Sequence, residues 1–159
     1  MRPFLLALCV LLATACSRVD GPAHAGEPKQ APDSPVRRCV NLGGGLEAPE
    51  EGRWGYTVRK EDLDRIAEAG FDTIRLPVRW SAHTDSTAPY RVDPAFMARV
   101  REIAGWAEEA GLRIIINVHH YDALMEDPDS HRPRLAAIWH QVSEAFADAP
   151  DSVIFELLN

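Results

Sequence analysis

EAGFDTIRLPV (Glu68–Val78) and EAGLRIIINV (Glu109–Val118) write the same structural unit twice. Each closes a helix, puts a glycine where left-handed backbone is favoured, and runs on into an apolar strand. Gly70 and Gly111 lie 41 residues apart. A third version, FADAPDSVIFELLN (Phe146–Asn159), stops its helix with Pro150 instead of glycine. Apolar residues recur at helical spacing before each stop: Leu63, Ile66 and Ala67; Phe96, Val100, Ile103 and Ala107; Leu135, Ile138, Val142 and Phe146. After the stops, Ile114, Ile115 and Ile116, and then Val153, Ile154 and Phe155, are apolar without alternation, as in strands covered on both faces. Val153–Leu158 reads as the fourth strand and Cys39–Leu42 as the first.

The resulting order, β-α-β-α-β-α-β with crossovers of roughly 35 to 40 residues, requires parallel pairing. A doubly wound open sheet and a (β/α)8 barrel both satisfy it. The open sheet calls for a glycine-rich turn that opens the first helix around a phosphate. Gly43, Gly44 and Gly45 do follow the first strand, but they enter a long loop carrying Pro49, Gly52 and Gly55. The expectation is therefore an α/β fold, the N-terminal half (β1 to β4) of a (β/α)8 TIM barrel. Residues 37–159 supply about half of the roughly 250 residues such a barrel takes.

The rest of the chain reads as export machinery. A basic start at Arg2, an apolar run to Leu12 and the small residues Ala13 and Ala15 make residues 1–15 a secretory signal, too short for a permanent span. Leu12–Cys16 resembles a bacterial lipoprotein processing site, which would make Cys16 a lipidated first residue, with Ala13 where leucine is favoured. Ordinary cleavage stays open beside it. The protein is then periplasmic, an outer-membrane lipoprotein or secreted. Residues 16–36, with four prolines and two glycines, read as a flexible linker. Cys9 leaves with the signal, so Cys39 alone can make no internal disulfide. With 17 basic against 24 acidic residues, a net charge of −7, nothing points to nucleic acid as a partner.

In a barrel, chemistry collects at the C-terminal strand ends, and these are polar here: IRLPVRW, INVHHYD and LLN. Trp54, Trp80 and Tyr121 fall in the loops beyond the strands, where flat rings with polar tips suit a sugar cleft. Arg75, between Ile74 and Leu76, requires a carboxylate partner, since its charge cannot be shed. His119 and His120 would share a metal ion only if the strand has already ended, and no ligand spacing accompanies them. No metal and no cofactor is expected. Strand alternation turns Glu156 away from Asn159 and toward the helices, so Glu156 reads as structural.

NLGGGLE (Asn41–Glu47), IRLPVRW (Ile74–Trp80), INVHHYD (Ile116–Asp122) and FELLN (Phe155–Asn159) together resemble glycoside hydrolase family 5, retaining cellulases and β-glucanases on a (β/α)8 barrel. The resemblance implies that Arg75 contacts the nucleophile, that His119 lines the catalytic centre and that Asn159 binds the sugar 2-hydroxyl. It implies substrate contacts from Asn41, Glu47, Trp54, Trp80, His120 and Tyr121, and a β-glycan substrate. In the family the acid/base glutamate follows that asparagine, and the nucleophile is a glutamate on strand seven. The chain accordingly reads as the N-terminal piece of such an enzyme, inactive as written. A non-catalytic glycan-binding half-barrel and a metal-dependent barrel hydrolase are the competing readings.

Overall fold

A computed structural model describes residues 36–159. The expected signal (1–15), Cys16 and the linker to residue 35 lie outside the described residues. Four strands, β1 (Cys39–Asn41), β2 (Thr73–Leu76), β3 (Arg113–Asn117) and β4 (Val153–Glu156), pair in parallel in the order β1-β2-β3-β4. Sequential order without reversal is the winding of a barrel, not of a doubly wound sheet. The crossovers are α1 (Lys60–Glu68), α2 (Pro94–Glu109), a short α3 (Asp122–Glu126) and α4 (Pro128–Ala145). Among the described residues no helix is long and apolar enough to cross a membrane.

The two glycine stops form as the repeat predicts: Gly70 has φ 82° and Gly111 φ 71°, each just past a helix end. Leu63, Val100, Ile103, Ile138 and Val142 on the helices join Ile74, Leu76, Ile114 and Ile116 in one core, all at most 1% exposed. Burying a side chain of this size fully is worth about 1.5–3 kcal/mol, so this layer fixes which face of each strand meets the helices. The alternate positions, Arg75 and Ile115, are only partly buried on the opposite face.

At the edges one helix was not foreseen and one expectation fails. α3 was hidden because one turn and a half of helix carries no period to read. The fourth strand ends at Glu156 and not at Leu158, with a bend at Leu157.

Candidate active site

Arg75 is the hub. Its Nε donates to Glu156 Oε2 and its Nη2 to Glu156 Oε1, both at 2.6 Å. Nη2 also donates to Asn159 Oδ1 at 2.8 Å, and Nη1 to Asn41 Oδ1 at 3.3 Å. One guanidinium thus ties together β1, β2, β4 and the segment after β4. The register explains this: Asn41 pairs with Arg75 and Asn117 with Glu156, and partners in a parallel ladder share a face. The Arg75 bonds, foremost, hold the Glu156 carboxyl below its usual range, and Glu156 in turn raises Arg75.

This corrects the reading of Glu156. It faces away from the helices, and Phe155 takes that side, edge-on to Trp139 and Phe146. Alternation misled because it was carried through to Asn159. The strand stops at Glu156, and the bend lets Asn159 reach the same arginine. Asn159 is anchored by its own N–H, which donates to Val118 O at 3.1 Å.

The second cluster joins the loop after β1 to the loop after β3. Gly44 (φ 83°) aims its N–H at Glu47 Oε1, 2.6 Å away. A side chain at Gly44 would strain that left-handed backbone. Glu47 Oε2 lies 3.3 Å from His119 Nε2 and 3.7 Å from His120 Nε2. β3 has ended by then, and His120 takes φ 50°, which brings two consecutive rings to one carboxylate, their centroids 4.5 Å apart. His119 titrates below its usual value, chiefly because burial penalises the cation, with His120 and Arg75 adding repulsion and Glu47 and Glu156 opposing.

Donor atoms of Glu47, His119 and His120 all fall within 4.8 Å of one another, close enough to hold a metal ion. The surroundings do not fit one. An imidazole bound to metal through Nε2 donates its other N–H to a carboxylate or carbonyl. His119 Nδ1 instead faces the Asn117 amide nitrogen at 3.2 Å, which is itself a donor. The cluster is better suited to hydrogen-bonding a hydroxyl-rich ligand.

The aromatic residues divide. Trp54 is 51% exposed and stands edge-on to His120, so one ring face is free to stack on a ligand. Trp80 and Tyr121 are corrections: they are 0% and 4% exposed and offer no platform. Trp80 lies in a 3₁₀ turn, donates to Asn117 O and packs edge-on against Phe96. The Tyr121 hydroxyl meets His131 Nδ1 at 3.1 Å beneath the Arg134 guanidinium. Sequence position placed both in loops, but the loops fold inward over the strand ends. Tyr56 likewise spends its hydroxyl on Asp62, and burial followed by that bond pushes it up to about 12.

Comparison with known proteins bears on the family and the fold. A sequence profile described as Cellulase (glycosyl hydrolase family 5) matches residues 36–159. Endoglucanase H of Acetivibrio thermocellus is 40% identical over 120 residues, 76% of this chain and 13% of its own. Endoglucanase A of Ruminococcus albus is 38% identical over 130 residues, 75% of this chain and 36% of its own. The solved structure of Thermotoga maritima Cel5A in complex with mannotriose superposes with a TM-score of 0.76 at 43% identity, over 78% of this chain and 40% of that one. The chain therefore spans well under half the length of these relatives.

Proposed function

The chain belongs to the cellulase family, glycosyl hydrolase family 5, and from that membership we propose that its full-length form is a retaining hydrolase of β-linked glucans. The observation that carries the reading is the set of polar side chains held at successive strand ends by Arg75, with Glu47, His119 and His120 beside it. Every member is fixed by at least one hydrogen bond or ion pair, the preorganisation that transition-state stabilisation requires.

Retaining hydrolysis uses two carboxyl groups roughly 5 Å apart, one attacking the anomeric carbon and one protonating the leaving oxygen. Glu156 is not a candidate for either. Its oxygens are both committed to Arg75, and a carboxylate held ionised makes a poor proton donor. Both catalytic glutamates then belong to the family positions that follow Asn159 and that lie on strand seven. On this reading the described residues contribute binding and orientation. Asn159 and His119 donate to sugar hydroxyls, Trp54 stacks on a ring, and Arg75 sets the charge around the nucleophile. No cofactor takes part.

Export, with a lipid anchor on Cys16, completes the proposal. Labelled-palmitate incorporation that disappears in Cys16→Ser would support the anchor, and incorporation unchanged by that substitution would refute it. The function itself is tested by reducing-sugar release from carboxymethylcellulose, mannan and β-1,3-glucan by the full-length protein. Release from carboxymethylcellulose is expected. A folded full-length protein that binds these polymers and cleaves none would favour the glycan-binding reading.

A further inference from the structure

Asn117 ends β3 and, with Thr73, is one of two fully buried polar residues among the described residues. Its Oδ1 accepts from the Val78 backbone N–H at 3.3 Å. A backbone N–H can only donate, so the amide oxygen must face Val78 and the NH2 group must face the other way. That NH2 has two hydrogens to place. One points at His119 Nδ1, 3.2 Å away. On its other side the sheet register sets Glu156 beside Asn117, and that carboxylate, paired to Arg75, accepts only. No rotation of the amide keeps the Val78 bond while offering His119 an acceptor.

His119 Nδ1 therefore has to be the acceptor of that bond. We infer that Asn117 is a positioning residue that holds His119 as the neutral imidazole protonated on Nε2, so that the ring's single N–H is turned toward Glu47 and the cleft. The inference concerns the ring itself and does not rest on the proposed hydrolytic activity. Protonating Nδ1 would set two donors against each other in a partly buried position, which costs part of the desolvation of each. The charged and titratable groups that face the ring are Glu47 from the loop after β1, Arg75 from β2, His120 beside it and Glu156 from β4. Two are acidic and would draw a second proton onto the ring, so burial, the repulsion of His120 and Arg75, and the amide lock together oppose that proton. His119 is thus unsuited to act as a base toward the cleft and suited to grip an oxygen there.

The test uses the intact protein labelled with ¹⁵N-histidine, with ring nitrogens assigned by long-range proton–nitrogen correlation. In the parent protein His119 should show a protonated Nε2 and an unprotonated Nδ1; a protonated Nδ1 at neutral pH would overturn the inference. Glu47→Gln separates the lock from the pull of the carboxylate: Nε2 should remain the protonated nitrogen, and a switch to Nδ1 would assign the tautomer to Glu47 instead. Asn117→Asp keeps an oxygen for Val78 but turns an acceptor toward Nδ1. It should move the ring proton to Nδ1 and raise the His119 titration midpoint by about 1–3 pH units, the usual reach of an adjacent opposite charge. An Asn117→Asp ring that keeps its tautomer and midpoint would reduce Asn117 to a packing residue.

Discussion

Converting Arg75 and Glu156 to glutamine, singly and together, measures how strongly the hub holds the strand ends. Two unit charges about 4 Å apart at an effective dielectric near 20 attract by roughly 4 kcal/mol. The side chains are 21% and 33% exposed, so water screens part of this. Exposed pairs are worth about 0–1 kcal/mol, and breaking a buried pair costs about 3–5 kcal/mol. The bidentate 2.6 Å geometry places this pair between those limits, with a coupling of about 2 kcal/mol. Urea unfolding of the four proteins, followed by fluorescence and circular dichroism together, gives that coupling directly. The pH dependence has a defined sign. Glu156 has a folded-state pKa below its unfolded value, so its contribution is complete above the ordinary glutamate range, near 4.3, and is lost as pH falls through the lower folded value. The parent should lose stability on that acid limb faster than Glu156→Gln. A coupling under about 0.5 kcal/mol, or identical acid limbs, would refute the hub as a strong pair.

Arg99→Ala should cost about 2–3 kcal/mol, read as a lower urea midpoint, because it strips two bonds from Glu51, one from Val58 O and the cover from Trp106. If the full-length protein hydrolyses β-glucans as proposed, Trp54→Ala in it should raise KM several-fold on cello-oligosaccharides with little change in kcat, the mark of uniform binding lost. Tyr121→Phe should lower stability by about 1 kcal/mol by removing the bond to His131, while KM stays put because the ring is buried; a KM effect would return Tyr121 to the binding surface.

The repeat was legible because helix period, glycine stop and apolar strand recur within short windows, and each is a local signal. Arg75 was legible for a related reason: a guanidinium between Ile74 and Leu76 has few ways to be satisfied. Its partner was not. The facing of Glu156 was inferred from Asn159, three residues on, and alternation does not carry across the bend at Leu157. Trp80 and Tyr121 were misplaced because loop membership says nothing about which way a loop folds. Asn117 lies inside the quoted INVHHYD motif but carries no mark of its role. Its partners, Val78 and Glu156, are both 39 residues away in sequence, and only the sheet register brings them together. Glu51 and Arg99, 48 residues apart, were hidden in the same way.

The central claim is that these strand ends form part of a retaining β-glycosidase centre, and product stereochemistry tests it most directly. Full-length protein is added to a cello-oligosaccharide, and the anomeric protons of the new reducing ends are followed by NMR before mutarotation equilibrates them. Double displacement inverts the anomeric carbon twice. The β-anomer should therefore appear first and the α-anomer only later; an α-anomer that appears first would contradict the account.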